Sequence, residues 1–433
     1  MIIKIKGKTD IIWPIVALYA LQCYALSAEM FFVVCCFVIA MYIVKLRKIV
    51  IPRIPGMGLY FICVFIATGI GLTKFSATNV VSAVMYETTG FFTIILGYYF
   101  FYAYHSKKSL WKTVAFMTTL SAAQVLVVNL GSVVGGADFV TLRQLFGLQI
   151  TALSTILPFF VGKYFILHEI SFSKIKDLIM MGIMLLQLLL NVSRIAIINL
   201  LIGLFAVIII GSIYNDKSKK VIKRTLALST FAIAVIVIVW NFLPDNITET
   251  FSDKMHNSLS EIDSKTDFND NGDAQSDWRG YEISCAKNQW KKSNVIEEMF
   301  GEGNGAAIKI QYIPGAFKNI TVSQNGEEGI KVLHNTYYTL LIKCGVISVL
   351  IFIYLFVRAV VNGIKYAIKD KKFDGIILVA ISIMILVDAY VVRTMHDKSI
   401  MLATMLLFGW IYAEINNKSK INNKENANSK YEV

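Results

Sequence analysis

The sequence predicts an all-α, polytopic integral membrane protein of about twelve transmembrane helices with one large outer loop. Two observations carry this. Only 16% of the 433 residues are charged and 56% are hydrophobic, whereas a water-soluble domain carries roughly 25% charged residues. Apolar stretches of the ~20 residues needed to cross ~30 Å of hydrocarbon recur along the chain, and the segment 244–335 stands apart as polar and loop-like.

Taken in order, candidate spans lie near 10–27, 29–45, 57–73, 83–104, 113–133, 148–168, 178–193, 195–214 and 226–243. After the polar segment come three more, near 336–360, 375–391 and 400–414. An even number of spans puts both termini and every second loop on one side. The loops of that side hold about 26 Lys and Arg, among them Lys45, Arg47, Lys107, Lys219, Arg224, Lys369 and Lys418. The short loops opposite hold about 5: Lys74, Arg143, Arg194, Arg393 and Lys398. Positive residues retain loops in the cytoplasm during insertion, so both termini are expected to be cytoplasmic, in a bacterial plasma membrane, with 244–335 facing outward. The same distribution accounts for the net charge of +13. Basic loops beside spans favour anionic head groups, so membrane lipid is the expected partner and nucleic acid is not.

The chain thus divides into spans one to nine (1–243), the outer loop (244–335), spans ten to twelve (336–414) and a tail (415–433). Over 244–333 the loop carries about 15 Asp and Glu against 9 Lys and Arg. Its first part, NSLSEIDSKTDFNDNGDAQSD, is poor in apolar residues and expected to be mobile. Further on, Trp278, Tyr281, Ile283, Trp290, Ile296 and Phe300 supply anchors for partly buried helix. The tail is rich in Asn and Lys and is expected to be disordered and cytoplasmic. The six cysteines show neither a CxxC pair nor metal-ligand spacing. Those in apolar runs read as small hydrophobes, and a disulfide holding the loop together is not expected. The start, MIIKIKGK and an apolar run, has no clear small-residue cleavage site and reads as a retained helix.

With that topology, the outward ionisable residues are Arg143 in TLRQLFG, Arg194 in NVSRIAIINLLIGLF, Arg279 in SDWRGYE, His334 in VLHNTYYTLLIKCG, and Arg393 with His396 in RTMHDK. Charge at the hydrocarbon boundary is costly, so several arginines at outer span ends suggest a shared anionic ligand, and the pyrophosphate of a lipid carrier fits. Arg194 is the sharpest case, because it interrupts a run apolar from about 178 to 211. Its plain alternative is snorkelling to head groups. The functional one is a guanidinium fork gripping phosphate oxygens.

Three segments together carry a family resemblance: SRIAIINLLIGL; WRGYEISCAKNQW followed by FGEGNGAA; and HNTYYTLLIKCGVISVLIFIYLF. In order and spacing they resemble the O-antigen polymerase and O-antigen ligase family, over roughly 190–360 and less clearly 143–165. The resemblance implies a membrane-embedded glycosyltransferase of the C type, metal-independent and without a cofactor, acting on glycans linked to undecaprenyl pyrophosphate at the outer face.

The residue types agree with that chemistry. Displacement at an anomeric carbon needs an activated acceptor hydroxyl on one side and charge stabilisation of the leaving pyrophosphate on the other. His334 is assigned the hydroxyl, and Arg194 and Arg279 the pyrophosphate. Arg143, Ser193, Asn335 and Tyr338 are assigned to substrate binding. The plain alternatives are a helix-start residue satisfied locally for His334, an ion pair with Asp277 or Glu282 for Arg279, and an interfacial anchor for Arg143.

Gly301, Gly303 and Gly305 do not have the GxGxxG spacing of a dinucleotide turn and read as a tight loop permitting close backbone approach. DFNDNGD opens like a calcium loop, but Trp278 stands where the bidentate glutamate belongs, so a solvated turn is expected and no metal is assigned. Asp388 and Lys343 are intramembrane charges of unstated partnership.

The leading functional expectation is a polymerase joining lipid-linked oligosaccharide repeats, as for O-antigen, capsule or lipopolysaccharide, with a chain-length regulator kept as a candidate partner. Within the family the alternative is the ligase, which transfers the finished glycan to lipid A core. A flippase or transporter is the alternative of another class. Such proteins usually keep loops short and show repeated halves, and neither feature is present here.

Overall fold

A computed structural model describes residues 15, 17–19, 27–104, 107–135, 141, 145–146, 150–165, 167, 169–191, 193–214, 268–313, 321–324, 327–393 and 398–429. The first helices are α1 (Ala28–Leu46), α2 (Met57–Lys74), α3 (Ala77–Ala103), α4 (Lys107–Val134), α5 (Ile150–Phe165), α6 (Lys174–Asn191) and α7 (Arg194–Tyr214). The outer segment contributes α8 (Asn271–Ser276), α9 (Trp278–Trp290), α10 (Val295–Phe300), β1 (Ile308–Lys309), β2 (Thr321–Gln324) and β3 (Glu327–Ile330). Three long helices complete the chain: α11 (Thr336–Ile368), α12 (Phe373–Val391) and α13 (Lys398–Ser429).

Helix starts fall where short polar side chains can satisfy orphan amides. Ser27 accepts the Met30 N–H before α1, Ser76 accepts that of Asn79 before α3, and Asn335 accepts that of Tyr338 before α11. Among the described residues, six helices are long and apolar enough to cross a membrane: those at Glu29–Leu46, Met57–Lys74, Ala77–Ala103, Leu110–Asn129, Thr336–Ile368 and Phe373–Val391. Ala152–Phe165 and Arg194–Ile209 are apolar but shorter. The protein is an α-helical, multi-pass membrane protein, for which twelve spans were expected and six of the described helices meet that test. The expected span near 226–243, and all but residues 15, 17–19 and 27 of that near 10–27, lie outside the described residues.

α3 packs on α1 and α13, α11 on α12, and α7 on α5 and α12. In lipid such contacts need close backbone approach. A Cβ at Gly97 would strike the Leu406 carbonyl oxygen, and one at Gly409 that of Ile94, so α3 and α13 touch backbone to backbone. Large apolar side chains such as Phe37, Phe65 and Val127 are exposed on the outside of the bundle, as a lipid-facing surface requires.

The outer segment folds on its own small core of Trp278, Tyr281, Ala286, Ile308, Ile330 and Leu333, against which Phe75 and Tyr338 pack. It holds a three-stranded antiparallel sheet of order β1-β3-β2, which the all-α expectation did not include. Strands of two to four residues, TVSQ and EEGI among them, are too short to show alternation. Trp278, Tyr281 and Ile283 are buried as expected, but Ile296 is 67% exposed. α10 is held instead by a capping box of Asn294 and Glu297 and by the Lys74 Nζ–Glu297 Oε1 ion pair at 2.7 Å. A further correction concerns the tail, where α13 continues through Ser429 rather than ending near 414. Asn416 Nδ2 donates to the Arg53 carbonyl and the Tyr98 hydroxyl, and Lys418 pairs with Asp370 at 2.7 Å, tying the extra turns to the bundle. Most of the segment expected to be mobile lies outside the described residues.

Candidate functional site

α11 begins where the chain leaves the outer domain, and its first residues are anchored on α12. Asn335 Nδ2 donates to the Tyr390 carbonyl at 2.9 Å, Thr336 Oγ1 to that of Val392 at 3.4 Å, and the Tyr337 hydroxyl to that of Leu386 at 2.7 Å. Thr339 Oγ1 accepts the Leu333 N–H at 3.2 Å, fixing the turn into the helix. His334 sits in this turn.

The partner of His334 comes from α9. Asp277 caps that helix by accepting the Gly280 N–H at 2.9 Å. The Tyr281 hydroxyl accepts the Gln311 and Tyr312 N–H groups at 2.8 and 2.7 Å, and burial pushes its pKa up to about 12. So held, α9 places Glu282, 1% exposed, with both carboxylate oxygens 3.0 Å from His334 Nδ1. Glu282 also accepts the His334 backbone N–H at 2.9 Å. The His334 side chain is 31% exposed. A carboxylate on Nδ1 requires the proton there, which turns Nε2 into the acceptor that can take a proton from a hydroxyl.

The loop Gly301-Glu302-Gly303-Asn304-Gly305 makes the close approach expected of it. α11 is broken at Gly345 (φ 77°, ψ 175°), which takes the carbonyls just before the break out of helical pairing. The Glu302 and Gly303 N–H groups bind the Ile342 and Lys343 carbonyls at 2.8 and 3.1 Å. Asn304 is fully buried, with its N–H on the Ala67 carbonyl and Nδ2 on Val64 O and Thr68 Oγ1. The loop therefore staples the outer domain to α2 and α11.

Beneath it lies a buried ion pair. Lys343 Nζ is 3.3 Å from Glu87 Oε1, with the side chains 1% and 0% exposed, and the Cys344 thiol donates to Glu87 Oε2 at 3.4 Å. Asp388 is likewise answered, by Asn199 Nδ2 at 2.9 and 3.0 Å from its two oxygens. Both intramembrane charges singled out in the sequence are thus paired.

Arg194 is half-buried at the first position of α7, directly after buried Ser193, whose carbonyl accepts the Ile197 N–H. α7 is joined through Asn199 and Asp388 to α12, and α12 through Tyr390 to Asn335, the neighbour of His334. Arg279 is half-buried on α9, three residues before Glu282. Tyr338 is half-buried, with Lys287 Nζ 6.0 Å from its ring centroid. Asn335 accepts the Tyr338 N–H with its side-chain oxygen and donates from Nδ2 to the Tyr390 carbonyl. Arg143 and His396 lie outside the described residues. In the stretch read as a solvated turn, Asp270 caps α8 by accepting the Asp273 N–H at 2.8 Å.

Residues 179–353 match the O-antigen ligase family. The resemblance to the O-antigen polymerase and ligase family read from the sequence is borne out over this stretch. The matched domain runs from α6 to just past the break in α11, and contains Arg194, Arg279, Glu282, His334 and the loop 301–305. No curated protein matches the chain. The family supports glycan transfer of the ligase or polymerase type.

Two buried acids of this arrangement carry no clear mark in the sequence. Glu282 was considered only as a partner of Arg279, because residues 52 positions apart give no pairing signal. Glu87, inside an apolar helix, was overlooked, although a lone acid in a span is itself a signal.

Proposed function

We propose that the protein is a polysaccharide polymerase, joining undecaprenyl-pyrophosphate-linked oligosaccharide repeat units at the outer face of the plasma membrane, with both termini cytoplasmic. The observation that carries this is the His334–Glu282 dyad at the junction of outer domain and membrane, inside the matched domain.

In the proposed step, His334 Nε2 takes the proton of an acceptor sugar hydroxyl as its oxygen bonds to the anomeric carbon of the donor glycan. The bond from that carbon to the carrier pyrophosphate breaks, and the pyrophosphate leaves with the electron pair. Glu282 steadies the imidazolium that forms. Arg194 and Arg279, with Arg143, take the charge of the leaving group. The polymerase is favoured over the ligase because an acidic outer segment suits an enzyme fitted to one particular repeat unit.

The test is gel analysis of glycan made by purified protein in liposomes supplied with lipid-linked repeat units. A ladder spaced by one repeat, absent in His334→Ala and Arg194→Ala, is the expected result. Transfer only when lipid A core is added would make the protein a ligase. No bond formation with any acceptor would return the transporter reading.

A further inference from the structure

A cavity of about 230 Å³ opens where the outer domain meets α1, α3 and α11, apart from the residues assigned to the dyad. Its wall carries Lys331, Lys343, Arg393 and Glu29, with Asn79 and Ser82 between them. The volume lies below the roughly 300–1,000 Å³ of pockets that take drug-sized ligands, and suits a single charged group or one sugar.

Among the described residues, the charges on this wall are not balanced. Lys343 is held by Glu87 at 3.3 Å. Glu29 accepts the Ser82 hydroxyl at 3.2 Å and feels the charge of Lys331. Arg393 has no acidic partner among the described residues, and its Nε is buried without an acceptor. Leaving a buried cationic N–H unmet is costly, and such groups in native folds generally have a ligand or solvent partner. A guanidinium in this state matches a planar or tetrahedral oxyanion, which it can grip with two parallel hydrogen bonds.

The cavity is also tied to the dyad through the backbone. Ile330, Lys331 and Val332 line it, and His334 follows two residues later. Val392, next to Arg393, accepts the Thr336 hydroxyl at the start of α11.

We propose that this cavity is an oxyanion subsite for the glycan substrate, with Arg393 as its principal grip, Lys331 as a second cation, and Asn79 and Ser82 as polar contacts. The oxyanion is either a sugar carboxylate of an acidic repeat unit or the diphosphate that links glycan to lipid. That the ligand is a glycan rests on the polymerase reading, whereas the oxyanion specificity rests on the cavity itself.

The experiment is a calorimetric titration of full-length protein in nanodiscs with inorganic pyrophosphate, with glucuronate and with glucose. Wild type is expected to bind at least one of the two anions and to bind it better than glucose. Pyrophosphate alone would identify the diphosphate linkage as the source, and glucuronate alone the sugar carboxylate. Arg393→Gln should weaken that binding about tenfold or more, as expected for a lost charge-assisted hydrogen bond. Asn79→Asp provides a second reading, since an acid in the first turn of α3 favours the helix yet repels an anion in the cavity. Absence of binding by either anion, or affinities in both variants equal to wild type, overturns the proposal. No turnover is involved. A protein that binds the anion through Arg393 but makes no polymer refutes the polymerase reading alone, and a polymerising protein whose binding ignores both variants refutes the subsite alone.

Discussion

Glu282 holds His334 twice, through the imidazole at 3.0 Å from each carboxylate oxygen and through the backbone N–H at 2.9 Å. The second bond explains why the carboxylate is buried, because it fixes the turn that launches α11. Glu282→Gln preserves an acceptor for the backbone bond but removes the charge that stabilises an imidazolium. Its kcat for polymer synthesis is expected to fall by about 10²-fold with KM little changed, at the lower end of the ~10²–10⁴ a general base contributes. Initial rates in liposomes check this, and an unchanged kcat at normal expression would remove His334 from the role of base.

Gly345 is required by two constraints at once. Its φ of 77° is one that side-chain-bearing residues rarely adopt, and a Cβ there would strike the Met299 carbonyl oxygen. Gly345→Ala is expected to cost ~1–3 kcal/mol for the backbone strain alone, and more if the loop 301–305 undocks. Gly58→Ala, where a Cβ meets nothing within 4 Å, is the matched control. Limited proteolysis of the outer domain should be accelerated in the first variant and unaltered in the second.

These two sites show what a single sequence makes legible. α11 starts at Thr336, because HNTYY joins a capping asparagine to the start of an apolar run. The glycine-rich stretch was readable as a close approach but not what it approached, since its partners are carbonyls of α2 and α11. Helix positions followed hydrophobic runs. The small sheet and the continuation of α13 depend on tertiary contacts such as those of Asn416, which leave no periodic trace. His334 and Arg194 stand out in the sequence as isolated polar residues beside apolar runs. Glu282, whose meaning lies in a pairing, could not be.

The Glu87–Lys343 pair is expected to behave as a unit. Both side chains are buried, so Lys343→Met alone leaves an uncompensated carboxylate, at a cost of ~3–5 kcal/mol. Adding Glu87→Gln should restore most of that, giving a double variant more stable than Lys343→Met. Thermal unfolding of all four proteins in one detergent completes the cycle, and strictly additive effects would mean that the two residues do not interact.

Glu302 offers a readout of the outer domain through pH. Burial raises its carboxyl above the ordinary value of 4.5, against the hydrogen bond from Gln289 Nε2 at 2.9 Å, which lowers it. The folded state therefore holds this proton more tightly than the unfolded chain does. Stability that is present below the ordinary carboxylate value is lost as pH rises through the raised one. Glu302→Gln keeps an oxygen for Gln289 and removes the buried charge. The variant is expected to unfold at a higher temperature than wild type at pH 7, and the gap should close as pH falls to about 4, where both side chains are neutral. A gap independent of pH would mean that Glu302 does not change its ionisation on folding.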